Sequence, residues 1–183
     1  MGNKSNDTTF ASQSGVVQDT ASPSDSFTSD EVTTLQAIAA EVPNIAISSS
    51  SGNFSTTSTT LIDVTNLSVS FTVSSDDSYV EVGLISDPSN STSFIEAQIT
   101  SSDNDAYCTV ALLRDSTVIS RNALQSLYEG NTLGRVKSPV GAVRTIEQPG
   151  AGTYTYKVQL RRITSNVTAR IYYAKLYVKE IRR

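Results

Sequence analysis

Two hydrophobic periods divide the chain. From Leu61 onward, apolar residues alternate with polar ones: Leu67, Val69, Phe71 and Val73, then Val80, Val82 and Leu84, then Ile95, Ala97 and Ile99, then Ala106, Cys108, Val110 and Leu112. A period of two places alternate side chains on one face of an extended chain, so each run predicts a strand with one buried face. Residues with local turn chemistry separate the runs. Asp87-Pro88-Ser89-Asn90 and Asp103-Asn104-Asp105 read as breaks, and Arg114-Asp115-Ser116-Thr117 reads as a hairpin into Val118 and Ile119. Gln148-Pro149-Gly150-Ala151-Gly152 introduces Tyr154, Tyr156, Val158 and Leu160; Ser165-Asn166 leads to a last strand containing Ala174, Leu176 and Val178. About eight short strands with turns between them predict an all-β fold, a jelly-roll-like antiparallel β-sandwich over residues 61–183.

The first third of the chain follows another pattern. Between Met1 and Phe27 no period persists and large apolar residues are few, so this stretch lacks the surface to offset its own ordering entropy. Thr28, Ser29, Asp30 and Glu31 then form a capping-box start, and Val32, Leu35, Ile38 and Val42 follow at helical spacing until Pro43. The spacing predicts a short helix over about 30–41. A helix of that length is marginal alone, so Val32, Leu35 and Ile38 are expected to dock on a surface, of this chain or another. Ser48 to Thr60 contains ten Ser or Thr in thirteen residues and reads as a linker, with β-branched Thr able to pair in part as an edge strand. The predicted organisation is an extended arm over residues 1–60 and an oligomerising sandwich over 61–183.

Charge sharpens that division. Through Thr60 there are six acids against the single base Lys4, whereas Leu61 onward carries twelve acids and thirteen bases. An acidic arm and a near-neutral domain without a concentrated basic face predict no nucleic-acid partner. No apolar run is long enough to span a bilayer, and no membrane partner is expected.

Candidate chemistry is sparse. The chain has no histidine, which excludes Ser-His-Asp and Cys-His nucleophiles and histidine-based zinc sites. Its single cysteine, Cys108, lies in register with Val110 and Leu112 and is expected in the core as a small hydrophobe. Carboxylates are the remaining candidate acids and bases: Asp76 with Asp77, Asp103 with Asp105, and Glu81 with Glu96. Four of these belong to turns, and Glu81 and Glu96 fall on predicted outward faces, so no catalytic residue, metal or cofactor is expected and the protein reads as non-enzymatic.

The closing strand carries a second signal. Opposite Ala174, Leu176 and Val178, the other face bears Ile171, Tyr173 and Tyr177 beside Lys175 and Lys179. A sandwich strand needs one buried face, so apolar residues on both predict contact with another copy, in a closed homo-oligomer, most simply a homotrimer. The bases Lys157, Arg161, Arg162, Arg170, Lys175, Lys179, Arg182 and Arg183 cluster in the same strands and the tail. They read either as a surface for an anionic partner or as a solvated face that deters edge pairing.

The run Gln148-Pro149-Gly150-Ala151-Gly152-Thr153-Tyr154-Thr155-Tyr156-Lys157-Val158-Gln159-Leu160 and the closing Tyr173-Ala174-Lys175-Leu176 resemble the final strands of jelly-roll domains in tailed-phage structural proteins. The Ala111-Leu112-Leu113-Arg114-Asp115 hairpin is similar in style. That group comprises fibre-tip and capsid-decoration proteins, often trimeric with a C1q- or TNF-like sandwich, and the likeness covers about the C-terminal hundred residues. The resemblance implies a scaffold and transfers no functional residue. It implies a capsid decoration (cement) protein on the outer surface of a virion assembled in the host cytoplasm, with the major capsid protein or another virion protein as partner. The alternative it implies is a tail-fibre tip, reading a host glycan through loops at Asp87–Ser93 or Gly130–Val140, with Tyr128 as an aromatic platform.

Overall fold

The structure is a computed structural model that describes residues 10–11, 16–17, 30, 44–99, 106–126, 135–165 and 167–182. It divides into two compact units, Met1–Val42 and Pro43–Arg183. In the first, β1 (Phe10–Ala11) pairs antiparallel with β2 (Val16–Val17). Of the helix expected over 30–41 only Asp30 is described, and it is helical.

The second unit runs β3 (Ile45–Ile47), β4 (Asn53–Thr56), β5 (Ile62–Val73), β6 (Tyr79–Ser86), β7 (Phe94–Ile99), β8 (Ala106–Arg114), β9 (Thr117–Ser126) and β10 (Arg135–Pro139). A 3-10 turn (Val140–Ala142) follows, then β11 (Arg144–Glu147), β12 (Gly152–Arg162), β13 (Val167–Tyr172) and β14 (Ala174–Ile181). Three four-stranded sheets result, with orders β10-β7-β13-β4, β11-β6-β14-β3 and β5-β12-β8-β9. All pairings are antiparallel.

The first two sheets share one order, and each strand of one is the chain neighbour of its counterpart in the other. They are two halves of a single layer whose long strands each bend once. Counting every bent strand as one leaves eight, ordered 1-8-3-6 and 2-7-4-5, which are the interlocked Greek keys of a jelly roll. The layers enclose one core, with Val80, Val82, Leu84, Leu176 and Val178 on one side and Phe71, Cys108, Val110, Leu112, Tyr156, Val158 and Leu160 on the other. Cys108 is fully buried, and loss of hydration pushes its thiol up to about 12.

Hydrogen bonds across the bend hold it in place. Tyr173 N–H donates to Gly52 O (2.7 Å) and Asp87 N–H to Tyr173 O (2.9 Å), while Ser51 N–H donates to Ala174 O (2.8 Å). The side chains of Ser48 and Ser51 accept from the N–H groups of Leu176 (2.9 Å) and Ala174 (3.1 Å). The sandwich therefore begins at Pro43, and the Ser/Thr-rich stretch contributes β4 and the bend instead of serving as a linker ahead of Leu61. Short hydroxyl side chains fit there because the turning backbone leaves donors that a buried position must satisfy.

The bend also corrects the reading of the closing strand. Residues 171–179 are not one strand: Tyr173 adopts a left-handed φ of +46°, ends β13 and starts β14. Inserting one such residue reverses which parity faces inward. Val167, Ala169 and Ile171 are buried before it, and Ala174, Leu176 and Val178 after it. Ile171, expected on the outer face with Tyr177, is fully enclosed in the sandwich interior.

The turns fall at the expected aspartates, whose carboxylates also reach across to other strands. Asp115 sits at a left-handed φ of +53° in the two-residue turn between β8 and β9, and its carboxylate accepts the Thr155 N–H at 2.8 Å. Asp76 reaches further than a local turn, accepting the Ala151 N–H at 2.7 Å and so clamping the Pro149-Gly150 loop to the β5–β6 turn.

Candidate interaction surface

The carboxylates nominated from sequence do not assemble into a reactive pair. Glu81 lies on β6 and Glu96 on β7, in different halves of the bent layer. Glu96 is almost fully enclosed and pairs with Arg170 at 3.1 Å. Asp76 and Asp77 occupy a turn, and Asp103 and Asp105 lie outside the described residues. Among the described residues no group of three or more Cys, Asp or Glu converges as a metal site would require.

Several charges of the closing strands are likewise engaged within the chain. Lys157 pairs with Asp63, Lys175 with Asp87 and Arg182 with Glu180, each at 3.2–3.3 Å. Burial acts to raise the Glu180 carboxyl, but the hydroxyl and N–H of Ser74, with the Ser78 hydroxyl and Arg182, together outweigh it and hold the group below its ordinary range. Asp87 is held down at about 2, first by the Ser89 N–H, against the raising effect of burial, and further by the Ser50 hydroxyl and Lys175. The loop nominated for glycan contact is thus consolidated around its own aspartate. Tyr128 and residues 130–134 lie outside the described residues.

A different surface emerges on the outer face of β11-β6-β14-β3. Cross-strand register builds two rows there: Ile146, Glu81, Lys179 and Ile45 in one, and Arg144, Gly83, Tyr177 and Ile47 in the next. Ile45, Ile47 and Ile146 are 53%, 55% and 59% exposed, unlike the enclosed aliphatic residues of the opposite face. Beside Ile45 and Ile47 runs an open groove of about 420 Å³, lined also by Ile85, Arg144, Tyr177 and Lys179 among others.

Tyr177 lies across the centre of this face. Its ring covers Gly83, where an added Cβ would stand 2.8 Å from the ring carbon Cε1. The hydroxyl donates to Glu81 Oε1 at 2.7 Å. Burial, followed by that hydrogen bond and the Glu81 charge, pushes the hydroxyl up to about 12, so it stays a donor across the neutral range. Its place on the outer face is accounted for by contacts within its own sheet. Tyr173 is half-buried in the bend. The predicted trio is therefore not brought together, and Val32, Leu35 and Ile38 lie outside the described residues.

β3 closes one edge of the same sheet. Glu180 N–H donates to Asn44 O and Ser48 N–H to Leu176 O, both at 2.8 Å, and Ala46 stands opposite Val178. Antiparallel alternation turns the backbone N–H and C=O of Ile45 and Ile47 the other way, off the sheet. Among the described residues no strand pairs with them. The sequence held one faint sign of this edge, the three-residue alternation Ile45-Ala46-Ile47, too short to separate from chance.

No protein-family model and no curated protein matches the chain. Among solved structures, the crystal structure of the infectious bursal disease virus VP2 subviral particle is 13% identical with a TM-score of 0.36, over 76% of this chain and 33% of that one. A mutant VP2 of the same virus, in derived particles, is 12% identical with a TM-score of 0.21, over 76% of this chain and 40% of the other. The chain thus spans about a third of the first of these VP2 chains.

Proposed function

We propose that this is a non-enzymatic virion structural protein, a capsid decoration or cement protein whose N-terminal arm grips the shell while the sandwich stands on it as part of a homotrimer. The observation that carries the reading is the division of the chain into a jelly roll from Pro43 onward and a separate unit, Met1–Val42. All six acids counted in the arm belong to that separate unit, which has one base. A head with an appended segment suits adhesion: modest contacts along each arm, multiplied by three copies, give high avidity without a deep pocket. Val32, Leu35 and Ile38 are the proposed apolar anchor of the arm. The phage-type scaffold resemblance supports the same reading, as does the engagement of Glu81, Asp87, Glu96 and Glu180 by groups of the same chain.

The test is sedimentation of the full chain and of a truncation starting at Pro43, each alone and with capsids that lack this protein. A start at Leu61 would remove β3 and β4 and damage the fold. The proposal expects both forms to be trimeric and only the full chain to bind capsids; replacing Val32, Leu35 and Ile38 with Ser is expected to weaken that binding. Equal failure of both forms to bind would sink it.

A further inference from the structure

We propose that the outer face of β11-β6-β14-β3 packs against the same face of a second copy, about a two-fold axis running along the strands. The contact is separate from the trimer proposed above and doubles whatever assembly the rest of the chain forms.

Apolar character supplies the first argument. The outer face of an antiparallel sheet is ordinarily polar where water covers it. Here the outward positions include Ile45, Ile47 and Ile146, each more than half exposed, together with half-buried Ile85, Tyr177 and Ile181. Cross-strand register gathers them on one face, and an apolar patch of this kind marks an interaction site.

Charge then selects the partner. From β11 to β3 one row reads Ile146, Glu81, Lys179, Ile45, apolar at both ends with an acid beside a base between them. Read backwards, this row complements itself. A two-fold axis along the strands reverses it, setting each Glu81 over Lys179 of the second copy and each Ile146 over Ile45 of the second copy. Strand directions stay aligned under that operation, as in ordinary packing of one sheet on another. The neighbouring rows obey it too. Tyr79, opposite Ile181 in the ladder, meets Ile181 of the second copy, and the Tyr177 rings, each lying over its own Gly83, meet beside the axis. The two Arg144 side chains fall at opposite edges, because β11 is an edge strand, so they do not oppose each other. A two-fold axis across the strands would instead set Glu81 over Gly83 and leave its charge without a facing cation.

The experiment is sedimentation equilibrium of the full chain at about 10–500 μM, because so small a face associates weakly. The native protein is expected to reach twice the mass of Lys179→Glu or of Glu81→Lys. Each of these variants opposes like charges twice across the axis and is expected to weaken the doubling by about tenfold or more. Mixed one to one, they place acids of one face over bases of the other, and the doubled mass is expected to return. A native protein that does not double would overturn the proposal, as would halved masses that mixing fails to restore. Whether the undoubled species holds three copies tests the trimer separately. Should Glu81→Lys misfold because Tyr177 loses its acceptor, two further measurements decide. Ile146→Lys, at an exposed edge position, is expected to halve the mass with an unchanged circular dichroism spectrum. Carbodiimide cross-linking of mixed unlabelled and nitrogen-15-labelled native protein is expected to join Glu81 of one isotope to Lys179 of the other, and cross-links between like isotopes alone would equally overturn the contact.

Discussion

Replacing Gly83 with Ala isolates the packing at the centre of the outer face. Gly83 is not in the left-handed region, so an alanine there meets no backbone strain. On conformational entropy alone the change should stabilise the strand by about 0.4–1 kcal/mol, because the unfolded chain loses freedom. The surroundings oppose it. The new methyl would lie 2.8 Å from Tyr177 Cε1, 2.9 Å from Arg144 Cβ and 3.0 Å from the Tyr177 hydroxyl. The ring has to tilt away, which strains the hydroxyl's 2.7 Å bond to Glu81, and the Arg144 backbone has to shift. Overpacking of this kind costs about 1–3 kcal/mol, leaving a net loss of about 1–2 kcal/mol once the entropy gain is subtracted.

Urea unfolding followed by far-ultraviolet circular dichroism reads the effect directly, with an expected fall in Tm of about 2–8 °C in a parallel thermal scan. The chain has no Trp, so the dichroism signal avoids dependence on Tyr177 fluorescence. Combining Gly83→Ala with Tyr177→Ala should recover about 1 kcal/mol relative to the sum of the single changes, because the ring contact is removed and only Arg144 remains close. A stabilised Gly83→Ala protein, or strict additivity with Tyr177→Ala, would refute the packing argument.

Ile171→Ala is expected to destabilise the fold by about 2–5 kcal/mol, since it opens a cavity in the core; a change in oligomer size at unchanged stability would return Ile171 to an interface. Asp87, lowered from 3.8 to about 2, contributes stability that is present above its unfolded value and is lost as pH falls toward the folded one. Tm-against-pH curves of the native protein and Asp87→Asn should therefore separate above about pH 4 and converge near pH 2, whereas parallel curves would exclude the coupling. Cys108, buried and raised to about 12, should resist a thiol reagent at mildly alkaline pH until denaturant is added, and prompt labelling of the folded protein would contradict its core position.

Local patterns along the chain determined most of the sandwich. Alternation through Phe71, Val82, Val110 and Val158 identifies inward faces because a strand's side-chain period is fixed by covalent geometry, whatever its neighbours. Asp87 marks a turn because its carboxylate bonds the Ser89 N–H two residues on, and Asp115 because a short polar residue tolerates the left-handed conformation of its hairpin turn. Cys108 followed its strand partners into the core for the same reason.

What the pattern left open required contacts distant in the chain. The parity switch at Tyr173 has no local signature: a left-handed tyrosine is unfavourable by itself and is held by bonds to Gly52 and Asp87, so Ile171 stayed indistinguishable from an outward residue. Ser48 and Ser51 read as linker because their composition is that of a flexible chain; only the β14 N–H groups they satisfy make them part of the domain. The exposed face is likewise a tertiary product. Ile45, Ile146 and Tyr177 are far apart in sequence and become one surface only when β3, β6, β11 and β14 pair, since sheet neighbours are set by register across strands and not by position along them.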